Sequence, residues 1–199
     1  SALVTMVEDA QSFVRPSVYV RLPDVTRELG EHARPIRDFL YSPGDTSVSI
    51  RLLGDLNDRA TLDILLRALE AMETTPFRLS FVHTGTSDGL LSEWLLQAMH
   101  AGALSNMSHN DLYHALESNN LAASLENLRQ KYHIPTTKYS WSQISLAFSQ
   151  ALELKHVGPI ILLNGQSLDH IQGVSQFDIE SVVAWEDEVH VQALLNALD

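Results

Sequence analysis

The feature that most constrains the fold is a short apolar run, Val157 to Gly165, with the sequence VGPIILLNG. Pro159 has no backbone N–H to donate to a central ladder, so it belongs at the beginning of a strand. Asn164-Gly165 is the strongest short signal for a hairpin turn. The segment therefore predicts a strand from Ile160 to Leu163 and a returning strand from Gln166 to Ile171.

A second stretch predicts a strand, a helix and another strand in succession. Val48 to Leu53 is apolar enough for a buried strand, and Phe77 to Val82 nearly alternates, as the next strand would. Between them, Ala60 to Met72 carries apolar residues at the spacing of one helix face: Leu62, Leu65, Leu66 and Leu69. Asn57 or Asp58 can cap this helix. Such a βαβ unit predicts two parallel strands.

The remaining segments predict helices around these strands. Residues 90–133 contain three helical stretches and form a helical insertion, and further helices are expected over Ser142 to Leu154 and Phe177 to Leu198. We expect residues 1–46 to be an extension of helix and strand packed on the domain. Residues 47–199 are predicted to form one α/β domain, with a central mixed β-sheet flanked by helices.

Composition excludes several classes of function. The net charge is −12 and only 13 Lys and Arg are scattered along the chain, so a nucleic-acid partner is not expected. The absence of cysteine excludes disulfides, thiol exchange and cysteine-ligated zinc. No apolar run approaches the roughly 18 residues needed to span a bilayer, so membrane insertion is not expected either.

One motif suggests a hydrolase as an alternative. Gly85 to Gly89 has the sequence GTSDG, a G-x-S-x-G between a strand and a helix, which is the setting of a serine nucleophile. Asp169 or Asp178, followed by His190, completes the order Ser, Asp, His with Ser87. Asp88 argues against this reading, because its charge would repel the oxyanion that its backbone N–H should stabilise. The other interpretation is a glycine-rich loop that caps a helix.

No metal site is predicted. The histidines never form an H-E-x-x-H motif, and His109 and His114 are five residues apart, on different helix faces. Asp55-Leu56-Asn57 begins like a calcium loop, but Arg59 and Ala60 then break the pattern. An Asp-x-Asp motif, which sugar-nucleotide transferases often use to hold their metal, is absent.

Two further features concern the helical insertion. Trp94 and Met99 lie in it, and such residues belong either to a core or to an adaptable apolar surface that binds a client protein. Asn106-Met107-Ser108 is a sequon for N-linked glycosylation, with Asn106 as the acceptor.

The order of predicted elements resembles that of thioredoxin-like proteins with a helical insertion, such as periplasmic disulfide oxidases. In active members the cysteine pair stands at the beginning of the helix after the first central strand, where this chain has Asn57-Asp58-Arg59-Ala60. Without a thiolate there is no thiol–disulfide exchange. Pro159 stands where the family keeps a cis proline, so the resemblance implies a cis bond after Gly158.

A closer resemblance is to the non-catalytic thioredoxin-like repeats of UDP-glucose:glycoprotein glucosyltransferase, the folding sensor of the endoplasmic reticulum, and the third repeat fits best. It rests on three stretches: SVSIRLLGDLNDRATLDILLRALEAM, FRLSFVH and LELKHVGPIILLNGQSLDHI. The resemblance implies a redox-inactive domain of the reticulum lumen that contacts neighbouring domains and contributes to recognition of misfolded glycoproteins. It places the transferase activity, with UDP-glucose and a divalent cation, in a separate domain, so this chain itself is expected to be neither an enzyme nor a cofactor binder.

A client-binding surface is predicted at the C-terminal end. Residues with helical spacing form one apolar stripe there: Val191, Leu194, Leu195 and Leu198. Misfolded proteins differ from folded ones chiefly in exposed apolar surface, which such a stripe can contact. The alternative is that this helix only closes the fold and that the domain is an architectural spacer without a client.

Overall fold

The computed structural model of the chain describes residues 14–15, 39–44, 46, 48–85, 89–137, 140–151, 158–168 and 176–191. Within them lie five strands: β1 (Val14–Arg15), β2 (Ser49–Gly54), β3 (Arg78–His83), β4 (Ile160–Leu163) and β5 (Gln166–Leu168). They form one mixed sheet in the order β1-β5-β4-β2-β3. The predicted α/β architecture is therefore present.

Helices surround this sheet. The described α-helices are α1 (Arg59–Ala71), α2 (Leu90–His100), α3 (His109–Leu116), α4 (Leu121–Lys131), α5 (Trp141–Ala151) and α6 (Gln176–Trp185). A 3₁₀ helix, Ala103–Asn106, joins α2 to α3, and a π-helix, Glu186–Val191, continues α6. The helical insertion predicted over residues 90–133 thus contains α2, α3 and α4. None of the described helices combines the length and apolar character needed to cross a membrane.

Strand β2 lies between a parallel and an antiparallel neighbour. It pairs with β3 in parallel, with Leu52 opposite Phe81, and with β4 in antiparallel fashion, with Leu52 opposite Ile161. Helix α1 is the crossover between the parallel strands, which confirms the predicted βαβ unit. Asp58 is its N-cap and accepts a hydrogen bond from the Ala60 N–H.

The predicted hairpin is also confirmed. Asn164 and Gly165 connect β4 to β5 with φ values of 47° and 86°, the left-handed region that a two-residue hairpin turn requires. The backbone of Asn164 forms the turn, and its side chain also contacts two other elements. Its Oδ1 accepts from the Ser49 N–H at 2.8 Å, and its Nδ2 donates to Glu186 Oε1 at 2.8 Å. One side chain therefore joins the hairpin, the central strand and the π-helix.

The cis bond predicted before Pro159 is wrong. The described residues contain no cis peptide bond, so Gly158 and Pro159 are joined by a trans bond. Gly158 has φ of 95°, a conformation open to glycine because it has no side chain. The chain therefore turns into β4 through glycine rather than through a cis proline.

The core lies between the sheet and the helices. Its largest fully buried side chains come from both layers and include Leu52, Leu65, Leu69, Phe77, Leu79, Phe81, Leu95 and Leu96. The insertion belongs to this core, since Leu112 and Leu125 of α3 and α4 are buried in the same cluster. Polar contacts add to the packing, because the Tyr113 hydroxyl on α3 donates to Glu70 of α1 at 2.7 Å.

The described parts of the predicted N-terminal extension are joined to the sheet. Strand β1 pairs in antiparallel fashion with β5, with Val14 opposite Leu168. Further along, the backbone N–H groups of Leu40 and Tyr41 both donate to the Leu79 carbonyl. The boundary between residues 46 and 47 stays a prediction.

Substitution of Asn164 should separate its backbone role from its hydrogen bonds. We expect Asn164→Gly to lower the free energy of unfolding by about 1–3 kcal/mol, because it leaves the buried Glu186 carboxylate without its donor. Asn164→Ala should cost about 1–2 kcal/mol more, because alanine is strained at positive φ. Urea unfolding followed by circular dichroism measures both. Equal losses for the two variants would contradict the role given to the left-handed backbone.

Candidate functional site

The C-terminal ends of β2 and β3 meet at one edge of the sheet, where redox-active thioredoxin-like proteins hold their cysteines. Here a tight turn fills the position. Asp55 Oδ1 accepts from the Asn57 N–H at 2.9 Å, and the Asp55 carbonyl accepts from the Asp58 N–H at 2.9 Å. Asp58 then caps α1. The exposed beginning of α1 therefore presents an amide and a carboxylate, and no sulfur.

Gly85 and Gly89, which flank residues 86–88 after β3, pack closely on this turn. A Cβ added at Gly85 would lie 2.1 Å from Asp55 Oδ2, and one added at Gly89 would lie 2.5 Å from Asn57 Nδ2. A side chain at either position would therefore push the side chain of Asp55 or of Asn57 aside. The two outer glycines of the GTSDG sequence thus have a packing role.

The structure separates the strands that lead to the hydrolase candidates. Ser87 follows β3 and Asp169 follows β5, and both residues lie outside the described ones, as do the side chains of Asp178 and His190. β4 and β2 lie between β5 and β3. The ends of β3 and β5 are therefore three strand spacings, about 14 Å, apart. The triad of Ser87, Asp169 or Asp178, and His190 stays a prediction.

Trp94 and Met99 belong to the core. Both lie on α2 with 3% of their surface exposed and pack in the same cluster as Leu65 and Phe81. Of the two interpretations, core residue or adaptable binding surface, the structure agrees with the first. A client-binding role for Trp94 and Met99 is not supported, because buried side chains offer no surface to a partner.

A carboxylate from the insertion caps a helix outside it. Glu93 of α2 accepts from the backbone N–H groups of Trp141 and Ser142, at 3.1 and 2.9 Å, at the beginning of α5. Burial alone would raise the pKa of Glu93, but the hydrogen bonds from Ser142, Gln97 and Trp141 outweigh it and hold that pKa below its ordinary value. Glu93 thus satisfies two of the donors that every helix start leaves open.

The same carboxylate is linked to α4 through an amide. Gln97 Nε2 donates to Glu93 Oε1 at 3.0 Å, and Arg129 Nη2 donates to Gln97 Oε1 at 3.3 Å. Arg129 also donates to the carbonyls of Ile134 and Pro135. This relay connects α4, α2 and α5, so the insertion is fixed to the rest of the domain.

Helix α5 also packs against β3 through small residues. Ser142, Ser145 and Ser149 are buried on one face of the helix. The Ser145 hydroxyl accepts from the His83 N–H at 2.7 Å and donates to the His83 carbonyl at 3.1 Å. Serine thereby completes the hydrogen bonding at the end of β3, beside the packed turn.

The other predicted site residues are distributed as follows. Asn106 is exposed at the end of the 3₁₀ helix. The backbone of Val191 ends the π-helix, while Leu194, Leu195 and Leu198 lie outside the described residues. No three His, Cys, Asp or Glu side chains come together as metal ligands in the part of the chain that the structure describes.

Comparison with known proteins establishes the class of protein. The family model described as a thioredoxin-like domain matches residues 24–199. The chain therefore belongs to the thioredoxin-like domain family, as the sequence resemblance predicts. No curated protein matches the sequence significantly.

Similar solved structures include two crystal structures of the Trx3 domain of UGGT. The detergent-unbound form has 15% sequence identity and a TM-score of 0.45, and the match covers 80% of this chain and 99% of that one. The detergent-bound form has 15% identity and a TM-score of 0.41, with coverage of 74% and 97%.

No sequence pattern predicts that Glu93 caps α5 or that the Asn164 side chain bonds to two other elements. Glu93 is 48 residues from Trp141, and no periodicity or capping pattern connects a helix start to a carboxylate on another helix. The Asn-Gly pair signals the turn but not the partners Ser49 and Glu186, because those contacts depend on how the elements pack.

The Glu93→Gln variant tests whether the charge of Glu93 stabilises the fold. If it does, the difference in unfolding free energy between variant and wild type depends on pH. The folded-state pKa of Glu93 lies below that of an unfolded glutamate, about 4.3. Its contribution is therefore fully present above that pH and is lost as pH falls through the folded-state pKa. We expect the variant to lose about 1 kcal/mol of unfolding free energy at neutral pH, and the difference from wild type to vanish in acid.

Urea unfolding of both proteins across this pH range tests the prediction. Glu73→Gln provides the control, since Glu73 is exposed just beyond α1. If the Glu93→Gln variant lost the same unfolding free energy at neutral and at acid pH, the charge of Glu93 would contribute nothing to stability.

Proposed function

We propose that the chain is a redox-inactive thioredoxin-like domain of the kind found in UDP-glucose:glycoprotein glucosyltransferase, and that it contributes to recognition of misfolded glycoproteins in the lumen of the endoplasmic reticulum. One observation carries the first half of the proposal. The beginning of α1, where active members carry their cysteine pair, has Asn57 to Ala60 with Asp58 as a helix cap, and the whole chain lacks cysteine. Thiol–disulfide exchange needs a thiolate, so the domain binds rather than reacts.

The close packing at this edge also supports a binding module. Asn57 and Asp55 fill the space beside Gly89 and Gly85, where a catalytic site would need room for a substrate. The domain is proposed to bind neither UDP-glucose nor a divalent cation. In the parent family that the sequence resembles, both belong to a separate transferase domain.

Recognition of misfolded proteins requires apolar surface, and little is available on the described residues. Leu90, 64% exposed, is the one large apolar side chain exposed among them. Trp94 and Met99, the other apolar candidates, are in the core. The predicted stripe of Val191, Leu194, Leu195 and Leu198 is therefore the best candidate for contact with a client.

The energetics of such a stripe suit reversible binding. Burial of each Val or Leu side chain contributes about 1.5–3 kcal/mol. Ordering each helical residue costs about 1–2 kcal/mol of backbone entropy, which offsets much of that gain. Docking of such a stripe on its own domain would therefore gain little, and we propose that the stripe is available to a client.

A titration followed by NMR tests this function. The ¹⁵N-labelled chain is titrated with a misfolded glycoprotein and, separately, with the same glycoprotein folded. We expect shifts only with the misfolded form. The double variant Leu194→Ser, Leu198→Ser should bind at least about tenfold more weakly, since a loss of 1.4 kcal/mol already has that effect.

Leu90→Ser is the matched control, because it removes an exposed leucine that does not belong to the stripe. It should bind like wild type. Equal binding of folded and misfolded glycoprotein, or equal losses for the two variants, would contradict recognition by the stripe. Absence of any shift with wild type would indicate an architectural spacer.

A further inference from the structure

The sequon at Asn106-Met107-Ser108 lies at a surface turn that can carry a sugar chain. Asn106 ends the 3₁₀ helix and is exposed, and Ser108, also exposed, precedes α3. Within the described part of the chain the Asn106 carboxamide has no hydrogen-bond partner. We propose that Asn106 carries an N-linked glycan, toward the end of β3 opposite the packed turn of Asp55 to Asp58.

The chemistry requires a lipid-linked oligosaccharide as the donor. A bond forms between Asn106 Nδ2 and the anomeric carbon of the first sugar, and the bond from that carbon to the pyrophosphate oxygen breaks. The amide loses one proton, and the lipid pyrophosphate leaves. No electron is gained or lost, so no oxidant or reductant is needed.

Transfer precedes folding of this segment. In the folded protein Met107 is 3% exposed and packs in the core, while the Ser108 hydroxyl accepts from the Asn110 N–H at 3.2 Å. A transferase that must enclose all three residues cannot reach Met107 in this state. Asn106 itself remains at the surface, so a glycan added earlier fits the finished fold without displacing any described side chain.

Two contacts locate the glycan relative to the sheet. Helix α2 begins after Gly89, beside Asn57, and its 11 residues carry the chain about 16 Å away from that edge. Beyond α2 and the 3₁₀ helix, the Tyr41 hydroxyl donates to the Ser108 carbonyl at 3.4 Å, and Tyr41 forms a bridge with Leu79 near the beginning of β3. Asn106, two residues before Ser108, therefore lies toward the N-terminal end of β3, whereas the packed turn lies at its C-terminal end.

This position has a consequence for the contacts of the domain. A bulky, hydrated glycan cannot be buried in an interface, so the surface around Asn106 faces solvent in the mature protein. Neighbouring domains and clients must contact other surfaces. The inference concerns the route of the chain through the secretory pathway and stands independently of client recognition.

The test is expression of the whole chain in eukaryotic cells with a cleavable leader for the reticulum and a reporter sequon added at the C-terminus. Only molecules that carry the reporter glycan are scored, because these have reached the transferase. We expect a second glycan on wild type, released by an amidase that converts the glycosylated Asn106 to Asp. Peptide mass spectrometry then locates this change.

Matched variants distinguish the sequon from other effects. Asn106→Gln and Ser108→Ala should each abolish the second glycan, whereas Ser108→Thr should keep it, since threonine preserves both the sequon and the helix cap. Glycosylation of the reporter without glycosylation of Asn106 in wild type would overturn the proposal. A negative result for the glycan would not change the outcome expected for the titration with misfolded glycoprotein.

Discussion

Parallel pairing of β2 with β3 is the constraint on which the rest of the structure depends. Two parallel strands cannot be joined by a tight turn, so α1 must cross from one to the other and cover a face of the sheet. The apolar faces of strands and helix then meet at Leu52, Leu65 and Phe81. The same pairing brings the ends of β2 and β3 to one edge, which is why the turn of Asp55 to Asp58 meets Gly85 and Gly89.

The helical insertion is an integral part of this core. Its apolar residues, Trp94 and Met99 among them, are shared with the sheet layer, and its polar residues tie it to helices on both sides. Tyr113 bonds to Glu70 of α1, and Glu93 caps α5. A segment held by these contacts cannot open its apolar side chains to a client at low cost, since each buried one would lose about 1.5–3 kcal/mol. Recognition by exposed apolar surface is therefore best sought outside the insertion.

The side chains at the C-terminal ends of β2 and β3 have structural roles. Asp58 uses its carboxylate to cap α1, and Asn57 packs against Gly89. Asn106 is exposed in the insertion, toward the N-terminal end of β3. With a packed turn at one end of β3 and a glycan proposed toward the other, we expect contacts with other molecules on the remaining surfaces.

The sequence by itself determined the βαβ unit, the Asn-Gly hairpin and the helical insertion, because each depends on local periodicity or on turn residues. Only the tertiary structure decided the trans bond at Pro159, the burial of Trp94 and the separation of β3 from β5. It also decided the partners of Glu93 and Asn164. These depend on contacts between residues distant in sequence, and packing of the elements, rather than any local pattern, brings such residues together.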